Sequence, residues 1–370
     1  MILERINILN YKNIEQAELT FSPKLNCFIG NNGMGKTNLL DAIYYLSFCK
    51  SHTNLVDSQN IKHDADFSLI QGWYSQQNGK TDEYLCSLKR RHKKIFKKNK
   101  KEYDKLSEHI GSLPLVLISP SDSDIIGGGS EERRRLMDVS ISQFDKEYLH
   151  HLIKYNNCLQ QRNALLRMEH AADETLFGLW EEQLAQEGLH IFEKRQQFIN
   201  RLTPLFQRFY DYVCQSNEVV SLSYRSQLNQ DDFMTVLKNK REKDRMLGYT
   251  SFGVHRDDLE MYLGDYPIKK VGSQGQNKTY LIALKLAQFD YLSHSEPIKP
   301  ILLLDDIFDK LDTSRVKQIV QLVSGDDFGQ IFITDTNREH LTDLLAVTDG
   351  NYKVFKAEQG SISEEIVNAQ

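Results

Sequence analysis

The spacing of hydrophobic positions changes twice along the 370-residue chain. Near the start, Ile2, Ile6 and Ile8 share one pleat face and the stretch Leu25–Ile29 is a short apolar run, so the first 45 residues read as strand, turn, strand, loop and helix. From about Phe67 to Leu117 the apolar positions Phe67, Leu69, Trp73, Leu85 and Leu88 keep strand spacing, with turn signals at Asn78-Gly79 and around Asn99. A small antiparallel sheet is expected there. After the break at Gly127-Gly128-Gly129-Ser130 the period becomes helical, first through Tyr148, Leu152, Tyr155, Leu159 and Leu166, then through Phe177, Trp180, Leu184, Ile191, Phe198 and Leu202. Two helices of roughly 25 residues, each on the order of 40 Å long, would form a short arm. Alternation returns at Val220, Leu222 and Tyr224, and Asp231 is placed to cap a helix ending before Gly248. Buried strands are expected at 301–304 and 330–334. The expected class is α/β, split by a helical insertion: a first half over 1–125, a helical lobe over 126–248 and a second half over 249–370.

Composition excludes several classes. With 40% hydrophobic and 26% charged residues the chain is globular in type, and no apolar run approaches the roughly 20 residues that span a bilayer. The start lacks an unbroken apolar segment behind a basic cluster, so a cytoplasmic location is expected. Five cysteines form no CxxC pair, so no structural zinc is expected, and the ten histidines other than His255 show no HExxH or metal spacing. The net charge of −5 hides an uneven distribution. Residues 89–101 read KRRHKKIFKKNKK and carry +9, which leaves −14 on the rest of the chain.

Candidate chemistry begins at Gly30-Asn31-Asn32-Gly33-Met34-Gly35-Lys36-Thr37, a GxxxxGK[ST] run preceded by the apolar strand and followed by Leu39, Leu40, Ile43 and Leu46 at helical spacing. Glycines let backbone N–H groups close around phosphate oxygens, the helix N-terminus adds its positive end, Lys36 reaches the β and γ phosphates of ATP, and Thr37 ligates Mg2+. The second requirement is an acid at a strand end. Ile301-Leu302-Leu303-Leu304-Asp305-Asp306 meets it, with Asp305 as the Mg2+ ligand and Asp306 as the group that orients or deprotonates the attacking water.

A third element assigns the class. Gly272-Ser273-Gln274-Gly275-Gln276 precedes an apolar helix some thirty residues before the acid strand, which resembles the signature motif of ABC-type ATPases. In that class Ser273, Gly275 and Gln276 would bind the γ-phosphate held by the other subunit's phosphate loop. A serine cap is the plain alternative for this segment taken alone.

Taken together, Leu9-Asn10-Tyr11-Lys12-Asn13-Ile14, the phosphate loop with Asn32, the segment 127–138 ending in RRRLMD, Gln161-Arg162-Asn163, Gly253-Val254-His255-Arg256-Asp257-Asp258-Leu259, Ser273-Gln274-Gly275-Gln276 and Leu303-Leu304-Asp305-Asp306 resemble the RecF family, relatives of structural-maintenance-of-chromosomes proteins. The resemblance covers nearly the whole chain. It implies an ABC-type P-loop ATPase head, a mixed sheet with helices plus a small antiparallel sheet, carrying an inserted α-helical lobe, and it implies that Lys12 lies near the nucleotide. Only 235 residues separate Thr37 from Ser273, too few for a chromosome-scale coiled coil. The implied activity is slow ATP hydrolysis that switches an ATP-dependent homodimer on DNA, single-stranded or at single/double-strand junctions. RecO and RecR are the implied partners, in recombinational repair, replication restart and SOS induction. The chain departs from the family pattern at Asp309-Lys310-Leu311-Asp312, where Lys310 replaces an acid, and at Pro120-Ser121-Asp122-Ser123-Asp124. Gln71 is the candidate for an ABC-type Q-loop glutamine, and His255 and Arg256 are open between a γ-phosphate sensor, a lobe contact and a turn ion pair.

The basic run supplies the DNA candidates Lys89, Arg90, Arg91, Lys93, Lys94, Lys97, Lys98, Lys100 and Lys101, with a hairpin turn expected at Lys98-Asn99-Lys100. A solvated charged hairpin is the plain alternative. No base-reading pattern is visible, so contacts would go to phosphates. Arg133, Arg134 and Arg135 follow Glu131 and Glu132, and there ion pairing within the helix competes with a DNA role. The alternative function is the nucleotide-binding subunit of an ABC transporter, which would need a membrane partner and has no use for a nine-cation hairpin. A nuclease with an ABC head would need more than the 34 residues after Thr336.

Overall fold

The computed structural model describes residues 1–76, 78–168, 174–215, 218–229, 232–295, 298–308, 311–336 and 351–365. The chain divides into two compact units. The first comprises Met1–Asp122, Tyr212–Gln215 and Lys278–Gln370, and the second Ser123–Asp211 with Ser216–Asn277. The second unit thus runs beyond residue 248, because the strand Val220–Arg225 pairs with Asp258–Leu263, which in turn pairs with Tyr266–Pro267.

Two sheets build the first unit. One is mixed, in the order Ser361–Glu365, Tyr352–Glu358, Leu25–Ile29, Ile331–Asp335, Ile301–Asp305, Leu115–Ile118, parallel throughout except for its first strand. Leu25–Ile29, Ile301–Asp305 and Ile331–Asp335 are buried at every position, which is why each reads as an apolar run without alternation. The other sheet is antiparallel: Ile14–Thr20, Ile2–Tyr11, Phe67–Ser75, Thr81–Lys89, Ile95–Lys98, Lys101–Glu102. It is larger than the alternation over 67–117 suggests, since Ile2–Tyr11 joins it between Phe67–Ser75 and a further edge strand, Ile14–Thr20. Leu115–Ile118, in contrast, belongs to the parallel sheet.

A register shift between Leu3 and Arg5 changes which side chains face inward. One extra residue reverses the parity of a strand. Leu3 therefore joins Ile6 and Ile8 on the buried face, in the place that strict alternation would give Ile2. Beside the shift, the Gln330 side chain accepts from the Leu3 N–H at 2.8 Å and donates to the carbonyls of Leu3 at 2.9 Å and Ser22 at 2.8 Å. A buried amide so replaces ladder bonds where the strand is irregular. The helix Lys36–Phe48 packs against both sheets and is buried over almost all its length.

The second unit is centred on the helices Ser130–Phe144, Lys146–Leu166 and Glu174–Cys214. The last has 41 residues, about 60 Å, and continues through Pro204 well beyond the spacing that ends at Leu202. Phe206, Phe209, Tyr210 and Val213 are buried after the proline, and this apolar stripe holds the helix across the bond that proline cannot make. Contacts of Asp145 with Lys194, Cys158 with Gln183, and Arg162 with Glu181 run in opposite directions along the two long helices, which form an antiparallel hairpin. The helix Phe233–Asn239 is capped by Asp232, which accepts from the Thr235 N–H at 3.0 Å. Asp231, the expected cap, lies outside the described residues. Arg241–Leu247 ends at Gly248 in the left-handed region, as expected.

Two buried arginines join these pieces. Arg162, with no exposed surface, donates to Asp244 at 2.7 Å and Thr250 at 2.9 Å and pairs with Glu181 at 3.1 Å, while Asn163 accepts from the Thr250 N–H at 2.8 Å. Arg195 meets Asp138 at 2.8 Å, the Val254 carbonyl at 2.9 Å and Asp257 at 3.3 Å. His255 sits between the Tyr155 hydroxyl at 2.8 Å and the Thr250 carbonyl at 2.9 Å, and burial lowers its pKa to about 4. His255 is thus a contact inside the lobe. Arg256 is exposed, over the ring of Tyr249 at 4.8 Å. Arg133 donates to Asp258 at 2.6 Å, Arg134 to the Asp257 carbonyl at 2.6 Å, and Arg135 lies 3.9 Å from Glu132, so all three of these cations have partners within the unit.

Removing one member of a buried ion pair strands the other charge. Arg162→Ala is expected to destabilise the second unit by about 3–5 kcal/mol, measured by urea unfolding at Trp180 in a Trp73→Phe background; an unchanged midpoint would count against the network. The lowered pKa of His255 has its own signature. Between the ordinary histidine value and about 4, the unfolded chain takes up a proton that the folded chain refuses, so stability falls as pH drops through that window. His255→Gln should flatten that part of the stability-versus-pH curve.

Candidate functional site

The phosphate loop closes on itself between a buried strand and a buried helix. Gly33 and Gly35 hold positive φ of 81° and 107°, conformations that would strain a side-chain-bearing residue. A Cβ on Gly30 would come within 2.4 Å of the Ala357 carbonyl oxygen, so the neighbouring strand excludes any larger residue there. Asn13 supports the loop from the other side: its amide donates to the Gly33 carbonyl at 3.3 Å and its oxygen accepts from Asn38 at 2.7 Å. Sequence reasoning gave Asn13 and Asn38 no role, because neither belongs to the GxxxxGK[ST] pattern.

Lys36 is 5% exposed and turns back to the loop, donating to the carbonyls of Gly30 at 2.5 Å and Asn31 at 3.1 Å. Burial lowers its pKa, with Asp306, Asp305 and Asp335 acting in the opposite sense. Parallel pairing brings the carboxyl ends of the central strands level, Ile29 beside Asp335 and Thr334 beside Asp305. Asp305 accordingly accepts from Thr37 at 3.1 Å and from Thr334 at 2.6 Å through the same oxygen. Burial raises its pKa and these two hydroxyls pull it down. Asp306 follows in the left-handed region at φ 51°, its N–H held by the Thr334 hydroxyl at 3.0 Å. Asn32, Gly33, Gly35, Lys36, Thr37, Asn38, Asp305 and Asp306 line one cavity. Met34 and Asn31 face a second one on the other side of the loop, with Lys356 and Gln359.

Cis ligands of an octahedral ion with 2.0–2.1 Å bonds stand about 2.9 Å apart. The 3.1 Å between the Thr37 hydroxyl and the Asp305 carboxylate suits such an ion, and both donors are hard oxygens. Beyond them, Leu40, Asp41, His52, Thr53, Leu117 and the turn 119–121 enclose a third space that includes Thr37 and Asp305. Lys12 reaches its border: it takes positive φ of 52° and its ammonium donates to Asp41 and Thr53, each at 2.5 Å. Gln71 does not line this space. It lies on the strand Phe67–Ser75 and donates to Glu83 at 2.7 Å, whereas the turn of Ser119 and Ser121, with His52 Nε2 3.0 Å from the Ser121 hydroxyl, occupies the position beside Thr37 and Asp305.

Ser273 and Gln276 form a reciprocal cap: the Ser273 hydroxyl accepts from the Gln276 N–H at 3.2 Å, and the Gln276 side chain accepts from the Ser273 N–H at 3.0 Å. Ser273 remains exposed, Gly275 half-buried, at the start of the helix Gln274–Ser295. Asp309 and Lys310 lie outside the described residues.

The basic run folds as a hairpin whose turn falls where the sequence places it, with Asn99 and Lys100 at φ 50° and 69°. Three of its cations serve the fold. Arg90 donates to the carbonyls of Ala65 at 2.9 Å and His63 at 3.0 Å, Lys94 to the Cys49 carbonyl at 2.6 Å, and Lys98 pairs with Asp82 at 3.0 Å. Lys89, Arg91, Lys93, Lys100 and Lys101 are exposed and Lys97 is half-buried.

Comparison with known proteins agrees with this geometry. The family model described as RecF/RecN/SMC N terminal domain matches residues 2–363. The DNA replication and repair protein RecF of Bacteroides thetaiotaomicron is 60% identical over 364 residues, covering 98% of this chain and 99% of that protein. Among solved structures, the recombination mediator protein RecF-ATP in the RecFOR pathway superposes with a TM-score of 0.88 at 28% identity, covering 99% of this chain and 98% of that one. An SmcHead bound to the C-winged helix domain of ScpA shares the fold at a TM-score of 0.60 and 14% identity, over 99% and 97% of the two chains. The ABC-type head is therefore the fold, and by a match over nearly its full length the chain belongs to the RecF family of DNA replication and repair proteins.

Proposed function

We propose that this chain is an ATP-hydrolysing switch in DNA repair, and that residues 30–37 with Asp305 and Asp306 carry the reaction. The observation that supports this most directly is the shared carboxylate of Asp305, which Thr37 and Thr334 both contact, so that loop, magnesium ligand and acid meet at one point. Loop N–H groups and the start of the helix Lys36–Phe48 bind the triphosphate. Lys36, held near the loop by its own carbonyls, exchanges those contacts for β- and γ-phosphate oxygens. Thr37 and Asp305 hold Mg2+, which when bound offsets charge on the phosphates. Asp306 orients the water that attacks the γ-phosphorus and accepts its proton, releasing ADP and phosphate.

Ser273, Gly275 and Gln276 act on the partner's nucleotide in a head-to-head homodimer. Lys12, already committed to Asp41, positions that carboxylate and the nearby Thr53 at the edge of the nucleotide site. Closure over ATP and opening after slow hydrolysis time a clamp on single-stranded or junction DNA, in concert with RecO and RecR. Magnesium, the homodimer and a cytoplasmic setting follow from this reading, and no helix among the described residues is long and apolar enough to cross a membrane. A transporter subunit would leave the basic hairpin without use.

Asp306→Asn should slow hydrolysis by at least about a hundredfold and accumulate the ATP-dependent dimer, while Lys36→Met forms none. Sedimentation that finds the Asp306→Asn protein monomeric at saturating ATP would overturn the clamp. For DNA, substituting Lys93, Lys97, Lys100 and Lys101 by Gln should reduce the slope of log affinity against log salt by up to about 3–4. Lys94→Gln is expected to lower stability and leave the slope in place. An unchanged slope in the fourfold variant would remove the hairpin from the interface.

A further inference from the structure

The helical hairpin of the second unit is cross-linked at successive levels, and one level is built on a pair of imidazoles. At most levels a cation meets a carboxylate, as Lys194 meets Asp145 at 2.6 Å and Arg162 meets Glu181 at 3.1 Å. Between these levels two imidazoles face each other, His151 and His190, with ring centroids 3.8 Å apart and planes inclined by 32°. Stacking alone would not recruit two carboxylates. Yet Glu147 stands one turn before His151 on its helix, 3.9 Å from its Nε2, and Glu187 stands one turn before His190 and contacts His151 Nδ1. Spacings of four and three residues place each pair on a single helix face.

The hydrogen bonding assigns the nitrogens. His151 Nδ1 faces the buried Glu187 carboxylate, so in the neutral tautomer that this contact favours the lone pair sits on Nε2; a carboxylate behind an imidazole is the arrangement that orients metal-binding histidines. His190 Nε2 is buried and has no hydrogen-bond partner among the described residues, an expensive condition for a polar atom. Ligand atoms of Glu147, His151 and His190 all lie within 4.8 Å of one another. Nearby charge is balanced: Lys194 is engaged by Asp145, and Lys154 approaches Glu187 at 3.5 Å.

We infer that Glu147, His151 and His190 bind a transition-metal ion of the zinc class, with Glu187 as the carboxylate that orients His151. Two imidazoles and one carboxylate suit Zn2+ or Co2+ and disfavour Mg2+, which prefers oxygen donors alone. Bonds of 2.0–2.2 Å at tetrahedral angles put ligand atoms about 3.4 Å apart, so binding draws the three groups together by roughly an ångström, a rotamer-scale adjustment. Glu147 is 67% exposed, which gives the ion a route in and leaves the fourth position to water. The ion would fasten Lys146–Leu166 to the long helix. Its ligands on the two helices stand 39 residues or more apart in sequence, so no linear spacing announces the set.

The test uses the full chain, stripped of metal and titrated with Co2+. Expected are a visible ligand-field absorption band of tetrahedral strength saturating at one ion per chain, its displacement by Zn2+, and a rise in thermal midpoint on adding Zn2+. Glu147→Gln, a surface change that leaves the hairpin packing intact, and His190→Ala should each weaken binding at least tenfold. Glu187→Gln should weaken it about 10- to 100-fold through His151. Lys36→Met should retain the band, which separates this site from the phosphate loop. Absence of the band in the unaltered protein, or a band that survives both Glu147→Gln and His190→Ala, would overturn the assignment.

Discussion

Parallel pairing of Leu25–Ile29, Ile331–Asp335 and Ile301–Asp305 is the constraint from which the site follows. Thr37 and Asp305 are 268 positions apart, and neither could find the other without three buried strands whose carboxyl ends finish at one level. The sheet can hold this register only because its faces are covered, with helix Lys36–Phe48 buried along nearly its whole length. Thr334 then sets the finer geometry: its hydroxyl donates to Asp305 and accepts from the Asp306 N–H, holding Asp306 in a left-handed backbone that the residue would not choose alone.

The unit that carries this site is built on side-chain repairs as well as on ladders. At Leu3 the Gln330 amide satisfies backbone groups beside the register shift, and at the hairpin Arg90 and Lys94 satisfy carbonyls of neighbouring loops. Charge in the basic run therefore has two uses that look identical in composition. Three cations are fixed by partners at 2.6–3.0 Å, and the exposed remainder is where any phosphate would be met.

Much of this was legible in the sequence, and the reasons for the misses are physical. The phosphate loop and acid strand were readable because their backbone demands, glycine at positive φ and unbroken burial, restrict residue choice over several consecutive positions. Ile14–Thr20 was not, since only Ile14, Ala17 and Leu19 face inward and exposed Glu15, Gln16, Glu18 and Thr20 fill the rest. Asn13, Asn38 and Thr334 were given no site role because each acts through side-chain hydrogen bonds that cross 20 to 29 positions of sequence. Gln71 attracted attention by residue type, although its strand directs it to Glu83. The motif around Arg162 was recognisable by resemblance and Arg195 lay outside every motif, but the work of both is the internal cross-linking of buried charge, which depends on carboxylates 19 to 82 positions away.

The order of strands in the mixed sheet bears on the order in which a ribosome delivers them. Leu25–Ile29 is flanked in the sheet by Tyr352–Glu358 and Ile331–Asp335, so the strand leading into the phosphate loop waits for both neighbours until more than 300 further residues have been made. At about 5–20 residues per second this is a delay of tens of seconds. Most of the second unit, emerging between 123 and 277, is available to fold in that interval with its partners at hand. The insertion of the helical lobe into the head thus makes nucleotide binding one of the last properties the nascent chain acquires. An incomplete chain would present an unpaired apolar strand instead of a working phosphate loop.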